Sequence, residues 1–87
     1  MSTPSPLQFP CDFPIKAMGR AGPDFPYLIA GIIGRHAPDL DPATLRIQSS
    51  RNGRYQSITL TIRARSREQL DAIYRDLSGH ERVLFAL

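Results

Sequence analysis

Apolar and polar residues alternate on both sides of Asn52-Gly53, across the stretch Ala43 to Arg65. A period of two marks a half-buried strand, and Asn-Gly between two such runs is the strongest short-range hairpin signal. The turn expected is the two-residue type I′, whose central residues both take positive φ, a conformation that Asn and Gly tolerate. Such a turn also fixes the pairing, with Ile47 opposite Ile58, Leu45 opposite Leu60, Arg46 opposite Thr59, Gln48 opposite Ser57 and Thr44 opposite Thr61. Apolar meets apolar and polar meets polar, and a slip of one residue would destroy that agreement. One face, with Leu45, Ile47, Ile58, Leu60, Ile62 and Ala64, is therefore expected to be buried. The other, with Thr44, Arg46, Gln48, Ser57, Thr59, Thr61, Arg63 and Arg65, is left open to water or to a partner.

Phe13 to Arg20 alternates in the same way and predicts a first strand with Phe13, Ile15 and Ala17 inward. Phe25 to Ala37 switches to a helical period, with Phe25, Leu28, Ile29, Ile32 and Ile33 on one stripe, Asp24 as N-cap and Pro26 within the first turn. Gly31 and Gly34 each weaken such a helix by roughly 1 kcal/mol relative to Ala, a cost that close packing on a sheet would explain. After the hairpin, Ser66-Arg67-Glu68-Gln69 matches a capping box, in which Ser66 accepts from the Gln69 amide and Gln69 reaches back. Leu70, Ile73, Tyr74 and Leu77 form the stripe of this second helix, and Gly79 stands where a left-handed residue closes it. Arg82 to Leu87 returns to a strand, with Val83, Phe85 and Leu87 expected inward.

The order β-α-β-β-α-β is the split βαβ plan of an α+β, ferredoxin-like sandwich. Right-handed crossovers give a four-stranded antiparallel sheet of order 4-1-3-2, with two helices on one face. Residues 13–87 are expected to form this single domain. Residues 1–12 hold Pro4, Pro6 and Pro10 and no periodicity, and are expected to be a flexible N-terminal arm.

Length and composition narrow the function more than the fold. A chain of 87 residues makes one domain with a thin core, since one this short buries roughly 60% of its unfolded surface, so self-association would help it. Cys11 is the single cysteine, which rules out an internal disulfide and any multi-cysteine metal site. There is no signal-peptide pattern at the start and no apolar run long enough to span a bilayer, so a cytoplasmic location without membrane contact is expected. The formal charge is +3, and Lys16, Arg20, Arg46, Arg51, Arg54, Arg63 and Arg65 all fall in strand-like segments that carry no Asp or Glu. Gathered in one sheet, they bias its open face positive, which attracts anionic partners.

Several segments resemble the YbeD family of small bacterial proteins, a family of unknown function. They are Phe13-Pro14-Ile15-Lys16-Ala17-Met18-Gly19, Gly34-Arg35-His36-Ala37-Pro38, the hairpin Ser49-Ser50-Arg51-Asn52-Gly53-Arg54-Tyr55-Gln56-Ser57-Ile58-Thr59, and the last helix and strand. The resemblance implies a fold close to that of regulatory ACT domains, which bind small effectors, usually amino acids, at subunit interfaces near the loop between first strand and first helix. It implies no catalytic residues.

Catalytic and metal constellations are missing from the pattern. His36 and His80 lie far apart without a carboxylate arranged for a metal, and Ser49, Ser50 and Ser57 have no paired His and acid to activate them. The reading is a regulatory or protein-interaction module, not an enzyme, with no cofactor. It would bind an unknown protein partner, or a second copy, through the open face or an edge strand, with Lys16, Arg20, Arg46, Tyr55, Arg63 and Arg65 as the candidate residues. The alternative is an ACT-like sensor of a small anionic or amino-acid effector at the loop Gly19, Arg20, Ala21, Gly22 and Asp24, where helix-start amides and Arg20 would receive a carboxylate. A third reading is weak nonspecific nucleic-acid binding. Sequence-specific RNA recognition is disfavoured, because the open face lacks aromatic platforms for stacking bases.

Overall fold

The computed structural model describes residues 8–87. Strand β1 (Cys11–Arg20) leads through a short loop to helix α1 (Phe25–His36); a single 3-10 turn (Pro42–Thr44) precedes β2 (Arg46–Ser49), β3 (Tyr55–Ala64), α2 (Arg67–Ser78) and β4 (Val83–Ala86). The sheet order is β2-β3-β1-β4 and every neighbouring pair is antiparallel, the ferredoxin-like arrangement that the sequence pattern predicts. The two central strands pair along their whole length, from Cys11 opposite Ala64 to Arg20 opposite Tyr55. The first strand thus starts two residues earlier than expected. Because β3 extends to Ala64, it supplies ladder partners to Cys11 and Asp12, which belong to the sheet and not to an arm. The rest of the expected arm falls largely on residues 1–7, outside the described residues.

Both helix stripes pack on the same sheet face. Ile15, Ala17, Ile58, Leu60, Ile62 and Ala64 from the strands meet Phe25, Ile29, Ile32 and Ile33 of α1 and Leu70, Ile73 and Leu77 of α2, all nearly or fully buried. Burying each of the large side chains stabilises the fold by about 1.5–3 kcal/mol relative to exposure. Ser66 caps α2 as expected, its Oγ accepting from the Gln69 amide at 3.0 Å. Gln69 does not bond back to Ser66. Its Oε1 accepts from Arg65 N at 2.7 Å and its Nε2 donates to the His36 carbonyl at 2.8 Å, tying the start of α2 to the end of α1.

The expected register of the hairpin holds, with Ile47 opposite Ile58 and Gln48 opposite Ser57, but its turn is different. Only Gly53 takes positive φ, at 75°, and Asn52 does not. The Gly53 amide donates to the Ser50 carbonyl at 2.9 Å, so Arg51 and Asn52 form the centre of an ordinary turn and Gly53 follows it in the left-handed region. The Asn52 carboxamide stabilises this form, accepting from Arg54 N at 3.1 Å and from Ser50 Oγ at 3.0 Å. Four further expectations are corrected. Asp24 makes no side-chain cap on α1, because its carboxylate is drawn to Arg82 at 2.6 Å. Gly79 has a right-handed φ of −82°. A Cβ on Gly31 would meet nothing within 4 Å, so close packing does not explain that glycine. In β4, Val83 is inward, but a register shift between Met18 and Gly19 inserts an extra residue and turns Leu84 and Phe85 outward; Leu87 too is exposed.

Candidate functional site

Ile47 faces the helix layer yet is 50% exposed. The strand carrying it is only four residues long and stands at the sheet edge, where α1 covers the inner face of β1 and β3 but stops short of β2. The result is a cleft of about 580 Å³ between the first turns of α1 and the β2 edge, walled by Pro26, Tyr27 and Ala30 on one side and Leu45 and Ile47 on the other, over Leu60. None of its lining residues is charged. Tyr27 stands at the rim, 79% exposed. These cleft residues were not among the candidates that sequence reasoning selects. Tyr27 sits off the helix stripe, which is the one signal that could have flagged it.

The β1–α1 loop borders this cleft through Gly22 and Pro23. Its amides are largely engaged: Ala21 N donates to the Arg54 carbonyl at 2.8 Å, Phe25 N to the Gly22 carbonyl at 3.2 Å, and Gly22 N to Gln56 Oε1 at 3.3 Å. Pro26 has none. Arg20 points away to a separate recess with Glu81, Arg82 and Leu84. Gly19 is required by packing, since a Cβ there would lie 2.2 Å from the Arg82 carbonyl oxygen and 2.6 Å from the Phe25 ring. The Asp24 carboxyl is held below its usual range, chiefly by the hydrogen bond from Arg82, whose guanidinium also lies 5.6 Å from the Phe25 ring centre. The loop therefore gathers Gly19, Ala21, Gly22 and Asp24 at one end of the domain, but does not bring Arg20 to the cleft.

On the open face the candidate cations fall into rows set by the strand register. Arg46 opposes Thr59, which opposes Lys16. One row along, Gln48 opposes Ser57, Ser57 opposes Met18, and Met18 opposes Phe85. Next, Tyr55 opposes Arg20. Lys16, Arg20 and Arg46 form no ion pair among the described residues. The other two candidates do. Arg63 reaches Asp12 at 3.3 Å, so the strands are not free of acids, and Arg65, beyond the end of β3, reaches Asp39 in the α1–β2 connection at 2.8 Å and is not part of the open face. Lys16, Met18, Gln48, Tyr55 and Ser57 line a second recess of about 300 Å³. Ser57 is 8% exposed, and its buried Oγ has no hydrogen-bond partner among the described residues.

The histidines have structural partners. His36 Nε2 lies 2.6 Å from Asp76 Oδ2, joining the two helices and holding the Asp76 carboxyl below the usual aspartate range. His80 Nδ1 accepts from Arg82 N at 3.1 Å. Among the described residues no three His, Cys, Asp or Glu side chains gather as a metal site would require, and no helix is long and apolar enough to cross a membrane.

Strand order, helix placement and the loop at the head of α1 define a ferredoxin-like domain of the ACT-like kind. Its backbone is similar to that of protein HP0495 from H. pylori, with a TM-score of 0.78 over 99% of this chain and 90% of that one at 13% identity. It is also similar to the ACT domain of GTP pyrophosphokinase from Chlorobium tepidum, with a TM-score of 0.64 over 87% and 84% of the two chains at 19% identity. At the level of sequence, residues 4–87 match the family described as protein of unknown function (DUF493). The UPF0250 protein NE1487 of Nitrosomonas europaea is 46% identical over the full length of both chains. A UPF0250 protein of Azotobacter vinelandii is 49% identical over 93% of this chain and 89% of its own. The chain belongs to this family of unknown function, the YbeD family that its hairpin and first strand resemble.

Proposed function

We propose that the protein is a non-catalytic interaction module that pairs with a second copy of itself along β2, closing the apolar cleft between the two subunits. The observation that carries this reading is the uncharged cleft beside an exposed edge strand, with Ile47 and Tyr27 at its rim. Gln48 and Arg46 take the hydrogen-bonded positions against β3, because the next such pair is Ser50 with Tyr55. The backbone groups of Ile47 and Ser49 therefore point outward, the template that an unprotected edge offers another strand. Antiparallel pairing about a two-fold axis through Gln48 sets Ile47 of one copy opposite Ser49 of the other and Arg46 opposite Ser50, so like charges do not meet. A basic open face would repel its own copy; the edge does not, because its one charge, Arg46, meets Ser50 and the cleft lining is uncharged.

A second reading is favoured by the contact of Gly22 and Pro23 with the same cleft. In ACT domains, which the fold resembles, effectors bind near this loop at a subunit interface. The lining here suits an apolar effector better than an anion. Sedimentation velocity from micromolar to millimolar chain tests the principal reading. The wild type is expected to show a concentration-dependent monomer–dimer equilibrium, and Ile47→Arg, an exposed change that leaves the fold intact, to remain monomeric. A wild type monomeric throughout the range would overturn it.

A further inference from the structure

The open-face recess borders the edge used in the pairing proposed above, sharing Gln48, Ser49 and Ser50 with it, and it collects residues from two of the segments that carry the family resemblance. Lys16 and Met18 come from the first, and Tyr55 and Ser57 from the hairpin. We infer that this recess binds the carboxylate of a small organic acid, with Lys16 supplying the charge and Ser57 and Tyr55 the hydroxyl donors. Four observations bear on it.

The first is Ser57 itself. A buried hydroxyl without a partner costs free energy, and such groups are rare in native proteins unless something else satisfies them. It lies between Met18 and Gln48, its two register partners. Met18 is unbranched and adaptable, and Gln48 is exposed on an edge strand, so a ligand reaches the hydroxyl by moving side chains and not backbone.

The second is charge. Lys16 faces no acid within 4 Å among the described residues; Arg46 shares its register row across Thr59, and Arg20 stands on the other side of the Ser57 row. The Asp12–Arg63 pair is at the far end of the sheet, and Glu81 lies in the separate recess beside Arg20. The local field is positive, and one ammonium in the lining matches one negative charge.

The third is the character of the lining. It has no carboxylate to receive an ammonium group, which disfavours zwitterionic amino acids. It has no guanidinium fork either, and a fork is the preferred geometry for planar bidentate recognition of phosphate. The fourth is size. About 300 Å³ is at the small end of ligand sites. A short hydroxy acid satisfies all four constraints, its carboxylate on Lys16 and its hydroxyl on the serine.

The test is an NMR titration of the isotope-labelled full chain with sodium lactate, sodium phosphate, alanine and a blocked glutamate peptide, at constant ionic strength. Lactate is expected to give saturable amide shifts centred on Lys16, Met18, Tyr55 and Ser57, with phosphate and alanine weaker. Lys16→Gln should weaken lactate binding about tenfold or more, the scale of a lost hydrogen bond to a charged group. Ser57→Ala should weaken it several-fold while raising the melting temperature of the free protein, because a buried unsatisfied hydroxyl is removed. Tighter binding of the blocked peptide than of lactate would assign the recess to an acidic side chain of a protein and overturn the small-acid claim. Preference for phosphate, unsaturable shifts with every probe, or lactate binding unchanged in both variants would overturn it as well. Ile47→Arg leaves this recess intact, so failure here is distinguishable from failure of the pairing along β2.

Discussion

Gly19→Ala should be among the most damaging single-methyl changes in the protein. The added Cβ would sit 2.2 Å from the Arg82 carbonyl oxygen and 2.6–2.8 Å from two atoms of the Phe25 ring. Real Cβ contacts essentially never fall under 3.0 Å, so the Arg82 carbonyl would have to retreat by about 0.8 Å or more and the Phe25 ring by about 0.4 Å or more. Neither has room. Arg82 immediately precedes Val83, which pairs with Gly19 across the β1–β4 register shift, and Phe25 is completely buried at the head of α1. Overpacking costs about 1–3 kcal/mol in general, and a clash with backbone belongs at the top of that range. For a domain of this size each kcal/mol moves the midpoint by about 4–8 °C, so a loss of roughly 12–24 °C is expected. Gly31→Ala is the internal control: nothing lies within 4 Å of its Cβ, and the helix gains about 1 kcal/mol, or roughly 4–8 °C. Thermal melts followed by circular dichroism read both. A Gly19→Ala variant that melts within about 2 °C of wild type would refute the packing argument and return that glycine to the list of ligand-binding candidates.

Two further outcomes concern caps and charges. Ser66→Ala should cost about 1 kcal/mol by removing the acceptor for the Gln69 amide, read as a shift in the denaturant midpoint. Asp24 and Asp76 both sit below the ordinary aspartate value of 3.8, held there chiefly by Arg82 and His36 respectively. With the folded value depressed, the unfolded chain takes up protons first as pH falls, so their contribution is full above about pH 4 and is lost below it. Melting temperature against pH should therefore fall more steeply on the acid side for wild type than for Asp24→Asn combined with Asp76→Asn; equal slopes would show that the two pairs add nothing.

The architecture was legible because alternation and helical period are dictated by burial on one face, and the sheet obeys them from Ile15 to Ala64. What escaped was set by neighbours in space. Ile47 belongs to the apolar set by pattern, but an edge strand can outrun the helix meant to cover it. Phe85 reads as inward until the register shift beside Gly19 reverses it. Asn52-Gly53 marked the turn correctly and its type wrongly, since the Asn52 carboxamide bonds to Arg54 and Ser50 and favours a right-handed conformation. The candidate cations divide the same way: Arg63 and Arg65 are spent on Asp12 and Asp39, pairings that sequence spacing does not reveal, while Lys16, Arg20 and Arg46 stay unpaired among the described residues. Ser57 counted as a polar strand residue and as a hydroxyl with no His and acid to activate it, and its buried orphan hydroxyl emerges only in the folded sheet, between Met18 and Gln48.

Isotope-filtered NMR on a mixture of labelled and unlabelled chains tests pairing along β2 at the strand itself. Intermolecular contacts are expected between Ile47 of one chain and Ser49 of the other, symmetric about Gln48. Intermolecular contacts confined to β4 around Leu84 and Phe85, or none at millimolar concentration, would contradict it.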